Sequence, residues 1–269
     1  TLFRSLGMGM FLWQERRFPE PVMPLHIWKN RVIGIANAAS FTNGVLLIGV
    51  SAFVPLYVQG VMGRSAMVAG FALVVMSIGW PIASTLCGRL MFRIGSRVSA
   101  VIGGLHLVLG AVLFLLLTEE RGPVWVGLAS FCTGVGLGFS TTTFIVSIQS
   151  SVRWELRGVA TASNMFMRIL GTTVGASLLG GILNARLLAY LSRQPEELGL
   201  PKGTRAGNAL LDPVQRELLS PEAIEVLREG VASSLHTVYG VSAVFAVVSL
   251  LLVFFLPRRS LTAEEPEKT

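Results

Sequence analysis

Six apolar stretches occupy most of this chain, and only one charged residue, Arg168, lies deep inside any of them. A helix of about 20 apolar residues matches the hydrocarbon thickness of a bilayer. In lipid every backbone N–H and C=O has to be satisfied within its own segment, which leaves the helix as the state open to such runs. The chain is therefore read as an all-α, polytopic membrane protein. Spans are expected at 32–60, 66–90, 98–118, 124–150, 157–191 and 232–256. Charged residues make up 14% of the chain, against about 25% in a soluble domain, so a water-filled surface for them is small.

The net charge of +7 would suit a nucleic-acid binder, but the basic residues sit at the ends of the apolar runs. That is the pattern of membrane orientation, not of a phosphate-binding stripe, and no nucleic-acid partner is expected. Arg16, Arg17, Lys29, Arg31, Arg89, Arg93, Arg97, Arg153, Arg157, Arg258, Arg259 and Lys268 fall on one side of the six-span topology. The short loops of the other side carry Arg64 and Arg121. The first side, with the C-terminus, is therefore expected in the cytoplasm, and the 192–231 loop outside. Within that loop Asp212-Pro213 and Ser220-Pro221-Glu222 each read as an N-cap followed by proline at the first helical position, predicting two short helices. Residues 1–31 read as the end of a preceding helix plus a cytoplasmic linker, 32–256 as the bundle and 257–269 as a cytoplasmic tail. The chain opens on Thr1, and a segment upstream of it is expected.

Chemistry is sparse. Cys87 and Cys132 lie within apolar runs, so a disulfide framework is not expected. His106 is mid-span and His26 and His236 lie elsewhere, so no metal cluster forms in the sequence. No phosphate loop and no Ser/His/Asp constellation is present. Neither an enzyme nor a cofactor is expected. Arg168 lies 11 residues past Arg157, roughly 16 Å along a helix that rises ~1.5 Å per residue, and so near mid-membrane. A charge there reads as a cavity-lining residue that tunes coupling or holds an anionic group, or as a packing residue that snorkels to the interface. Small-residue spacing on the fourth span (Gly134, Gly136, Gly138) and fifth span (Gly171, Gly175, Gly180, Gly181) predicts close helix packing. Polar and aromatic residues within the spans are the candidates for a substrate cavity. They are Asn37, Phe41, Asn43, Tyr57 and Gln59 on the first span, Trp80 on the second, Thr141, Thr142, Phe144 and Gln149 on the fourth, and Asn164, Met165 and Arg168 on the fifth.

The most specific local signal is Gly88-Arg89-Leu90-Met91-Phe92-Arg93-Ile94-Gly95-Ser96-Arg97, expected as a short cytoplasmic loop in which Gly88 and Gly95 allow close approach and a tight turn. It resembles the G-x-L-x-D-R-x-G-R-[RK] loop between the second and third helices of the major facilitator superfamily. Phe92 stands where that family has Asp, a loss usual in the second-half copy of the loop. The run from Pro21 to Leu25 and the Phe53–Gln59 segment resemble the entry to the second bundle of the fourteen-span drug:proton antiporter branch. Gln149–Ala160 is similar to a cytoplasmic loop of that branch, and Arg168…Gly171…Gly175-Ala176 to a run on its penultimate helix.

The resemblance implies a six-helix bundle of two inverted three-helix repeats, 32–118 and 124–256. It implies the C-terminal half of a secondary active transporter, multi-pass in a bacterial cytoplasmic membrane. That protein would export hydrophobic or amphipathic drugs in exchange for protons, by alternating access. Its partners would be the small-molecule substrate, protons, the lipid bilayer and an N-terminal bundle that this sequence lacks. Gly88, Arg89, Arg93, Gly95 and Arg97 would form its gating loop. The alternative reading is a non-transporting scaffold or sensor that uses the 192–231 loop to bind a partner.

Overall fold

The structure, a computed structural model, describes residues 25–195, 210–212 and 218–257. Six long helices account for nearly all of them. They are α1 (Arg31–Leu56), α2 (Ala66–Ile94), α3 (Ser96–Leu115), α4 (Gly122–Gln149), α5 (Arg157–Leu191) and α6 (Pro221–Phe254). All six are long and apolar enough to cross a membrane, and no strand occurs among the described residues.

The ends of the helices follow local chemistry. Asn30 caps α1, its side-chain oxygen accepting from the Val32 N–H at 2.9 Å. Pro55 removes one backbone donor near the end of α1. The chain beyond it widens into a single π turn, Tyr57–Val61, with the Gln59 side chain donating to the Pro55 carbonyl at 3.4 Å. Two expectations change here. The 88–97 segment is no loop: α2 runs on to Ile94 and α3 starts at Ser96. Gly95 alone makes the turn, at φ +83°, a backbone state that a side chain disfavours. The α2 coil persists because nothing in Arg89–Ile94 breaks it. The second change is in the 192–231 segment. Ser220 does cap a helix, accepting from the Ala223 N–H at 3.1 Å, but that helix is α6 itself, continuous to Phe254. Residues 221–231 therefore extend the sixth span and pack their apolar side, Leu227 and Val231, against Leu187 and Leu191 of α5. The Asp212-Pro213 helix start lies outside the described residues.

The packing is doubled. α1 packs on α5 and α6; α4 packs on α2 and α3; α3 and α6 meet each other. Exchanging α1 with α4, α2 with α5 and α3 with α6 maps this set onto itself. The match extends to single residues. Gly44 of α1 lies against the carbonyl of Arg168, and Gly171 of α5 against the carbonyl of Phe41. In the other pair Gly134 of α4 lies against the carbonyl of Met76, and Gly79 of α2 against the carbonyl of Phe131. The third helices agree: Ser249 donates to Asn43 where Gly110 meets Thr133, and Ser242 meets Gly49 where Gly103 meets Phe139 and Ser140. The two inverted halves thus share a Phe-x-x-Gly crossing, Phe41–Gly44 and Phe131–Gly134.

Candidate functional site

Helix periodicity separates the candidate residues into two groups. At about 3.6 residues per turn, Phe41, Val45, Ile48, Ala52, Pro55 and Gln59 form one stripe along α1. The side facing α6 carries Asn43, Val50, Phe53 and Tyr57 instead: Ser249 bonds Asn43, and the Tyr239 hydroxyl reaches the Phe53 carbonyl at 3.4 Å. The matching stripe on α4 is Phe131, Val135, Gly138, Thr142, Ile145 and Gln149, of which Phe131 is 37% exposed. α3 lies on the opposite side of α4, against Thr133, Gly136 and Ser140. Apart from Val45, buried against Gly175 of α5, and Gly138, buried against Trp80 and Ala83 of α2, the two stripes form one open face of the bundle, flanked by α5 beside α1 and α2 beside α4.

The flanks lean over this face. On α5 the series Thr161, Met165, Arg168, Thr172 follows one edge of the buried stripe. Gln149 of α4 donates to Thr161 at 3.3 Å, which fixes that edge toward α4. Arg168 reaches across to α2, its guanidinium carbon 5.7 Å from the centroid of the Trp80 ring. An Arg–Trp contact therefore links the two flanking helices across α1 and α4.

Magnitudes say what this contact leaves undone. A charge at the centre of a span costs at least about 2.5–3.5 kcal/mol. A cation–π contact returns about 0.5–2 kcal/mol. Arg168 makes no hydrogen bond or ion pair among the described residues; their ion pairs join Arg153 to Glu155 and Arg228 to Glu225. With no hydrogen bond to a described residue, the guanidinium N–H donors of Arg168 are not spent within the described bundle.

Phe41, Gln59, Trp80, Thr142, Gln149, Met165 and Arg168 accordingly share the open face. Asn43, buried against Ser249 of α6, does not, and Thr141 spends its hydroxyl on the Leu137 carbonyl of its own helix; four more candidates also lie off the face. Asn37 and Asn164 are buried between α1 and α5, where the Asn164 amide donates to Asn37 at 3.0 Å, Ser40 at 2.9 Å and the Ala36 carbonyl at 3.2 Å. Asn37 in turn donates to Ser163 at 3.2 Å. These amides spend their hydrogen-bonding capacity on each other, because an unpaired one would be costly there, and so they clamp helices instead of facing a ligand. Phe144 is fully buried among Ile33, Ala36 and Ile148. Tyr57 is buried with its ring 6.3 Å from that of Tyr239. It lines an open groove of about 580 Å³ between the chain just past α3 and the interior of α6, with Thr118, Ser233, His236 and Thr237.

At the turn between α2 and α3, Arg89 and Arg93 are exposed on the last turns of α2 and Arg97 opens α3. Gly88 is an interior helical residue with open space where a side chain would be, so it makes no close approach. Gly180 and Gly181 likewise face open space, whereas Gly171 and Gly175 do hold α5 against α1. His106 bonds the Ile102 carbonyl of its own helix at 2.9 Å, a packing role. Phe131, Thr161 and Thr172, absent from the sequence candidates, border the same face, whereas Met76, also absent from them, is buried with its carbonyl against Gly134. The signal that finds Phe131 and Met76 is the repeat: each is the image of a residue already on the crossing, Phe41 and Arg168.

These features have relatives. The chain is 26% identical to "Multidrug transporter protein MdtP" of Bacillus subtilis, across 97% of this chain and 52% of that protein. It is 25% identical to "Multidrug resistance protein 3" of the same organism, across 96% of this chain and 52% of that protein. It is 29% identical to the "Tetracycline resistance determinant" of Streptomyces rimosus, across 70% of this chain and 55% of that protein. The chain thus spans about half the length of these curated relatives. The sequence model of the Major Facilitator Superfamily matches residues 9–176. With six membrane-capable helices, a doubled packing pattern and this match over more than half its length, the chain belongs to the Major Facilitator Superfamily.

Proposed function

We propose that this bundle is one half of a drug exporter that works by alternating access in exchange for protons. In this reading residues 32–256 are its C-terminal bundle, 1–31 a helix end and cytoplasmic linker, and 257–269 a cytoplasmic tail. The protein sits in the cytoplasmic membrane of a bacterium with its C-terminus inside. The observation that carries the reading is the open face: a mid-membrane charge, three aromatic rings and two amides on one side of an otherwise apolar bundle. A polar or ionisable group inside a membrane is expensive, and its default meaning is a substrate or ion pathway. A second bundle facing this surface would close it into a central cavity. The relatives named for multidrug and tetracycline resistance support a drug as cargo. The glycine crossings support rocking, since backbones that touch without interdigitated side chains can slide at low cost.

The test is efflux. Full-length protein expressed in cells lacking their own drug pumps should lower the accumulation of an apolar fluorescent drug, and collapsing the proton gradient should abolish the effect. Accumulation that stays unchanged with an intact gradient, at verified membrane expression, refutes the export reading.

A further inference from the structure

We infer that the open face selects organic anions: amphipathic molecules that carry a carboxylate, sulfonate or phenolate beside an aromatic ring. This inference rests on the reading of that face as a binding surface and names its ligand class. Arg168 is the one charge on it, and a guanidinium stays protonated at any physiological pH. No Asp or Glu occurs anywhere in α1 to α5, and the three of α6, Glu222, Glu225 and Glu229, lie in its first turns, far from mid-span. This half of the protein therefore offers a cation nothing to pair with and repels it at short range, in a medium where charges are weakly screened.

The geometry is that of a half-filled site. Trp80 lies beside the guanidinium, 5.7 Å from ring centroid to Cζ. No hydrogen bond or ion pair among the described residues uses the guanidinium N–H donors, so they are left for an acceptor. A guanidinium fork matches the two oxygens of a carboxylate or two of a sulfonate. Phe41, Phe131 and Met165, one to each neighbouring stripe, supply the aromatic and thioether surface for the rest of the ligand, Phe131 at 37% and Met165 at 46% exposure. Thr172, one turn from Arg168 on the same edge of α5, already spends its hydroxyl on the Ile169 carbonyl at 2.6 Å, so the recognition falls to Arg168.

The experiment measures binding, without transport, on purified full-length protein in detergent. The anion probe is 8-anilinonaphthalene-1-sulfonate and the cation probe is ethidium, both followed by fluorescence titration. Wild-type protein should bind the anion more tightly. Arg168→Met should weaken the anion about ten- to hundredfold, the worth of hydrogen bonds to a charged group, and leave ethidium within about twofold or improve it. Arg168→Lys, which keeps the charge and loses the fork, should fall between. Gly180→Ala, with open space around the new Cβ on the same helix, should bind both probes as wild type does, and ethidium binding retained by Arg168→Met shows that this variant is folded. Wild-type preference for ethidium would overturn the inference. So would an Arg168→Met variant that weakens both probes equally, or that leaves the anion unchanged. Arg168-dependent anion binding by a protein that moves neither probe across vesicles would sink the export reading and leave this one standing.

Discussion

Substituting Gly44 with alanine tests the helix crossing at its tightest point. An added Cβ would overlap the Arg168 carbonyl oxygen and lie 2.9 Å from the Thr172 nitrogen and 3.1 Å from the Arg168 carbonyl carbon. All three are backbone atoms of α5, so no side chain can swing aside. Ordinary contact begins near 3.4 Å, and α1 and α5 must separate by roughly an ångström to reach it. Overpacking of this kind costs about 1–3 kcal/mol. The same displacement stretches the Asn164 hydrogen bonds, already 2.9 to 3.2 Å, and interhelical bonds in membranes average about 0.6 kcal/mol each. The expected loss is therefore about 2–4 kcal/mol. The internal control is Gly180→Ala on α5, where nothing lies within 4 Å of the new Cβ. There the better helix propensity of alanine should leave stability unchanged or raise it by up to about 1 kcal/mol. Denaturant unfolding of the full-length protein in detergent micelles, followed by far-ultraviolet circular dichroism, measures both. Equal stability of Gly44→Ala and Gly180→Ala would refute the crossing. Gly134→Ala, the repeat image, should behave as Gly44→Ala does, because its Cβ meets the Met76 backbone, with Cα at 3.2 Å.

Two further outcomes follow from the buried polar groups and the caps. Asn164→Leu leaves Asn37 and Ser40 without a shared partner inside α1 and α5, and should cost about 1–3 kcal/mol in the same unfolding measurement; an unchanged midpoint would mean the amides are not a clamp. Ser220→Ala removes the oxygen that accepts from the Ala223 N–H, and should cost about 1 kcal/mol. The loss should show as faster hydrogen exchange confined to the first two turns of α6, and exchange equal to wild type would count against the cap. A topology check completes the set. Reporter fusions at residue 210 and after residue 257 should report opposite sides of the membrane, since α6 alone separates them, and the same compartment for both would refute the six-span order.

Much of this protein is written in its hydropathy. Each of the six spans is an apolar run, broken at depth only by Arg168 in the fifth, and lipid allows such a run one backbone solution, so number, order and approximate bounds follow from composition along the chain. The turn at Gly95 and the cap at Ser220 are local chemistry, and they too can be read directly. Where two helices meet across a single glycine, however, no local signal says that the helix on either side continues. The Arg89–Ile94 segment reads as a basic loop in sequence and is the end of α2 in space, because its residues are tolerated by both.

The candidate face shows the same division. Sequence marked Arg168 and Trp80 separately, as a lone deep charge and an isolated aromatic, but they lie on helices that do not follow each other and are joined by rotation about the helix axes. The amides Asn37 and Asn164 looked as available as Gln59 and Gln149; their partners, Ser40 and Ser163, are visible only once α1 lies on α5. What the sequence alone determined is which segments lie in lipid, since burial in lipid depends on each segment's own side chains. Which faces of those segments meet was decided by the fold. A helix in a membrane is apolar all round, so hydropathy carries no phase, and the choice passes to glycine contacts and hydrogen bonds between residues far apart in the chain.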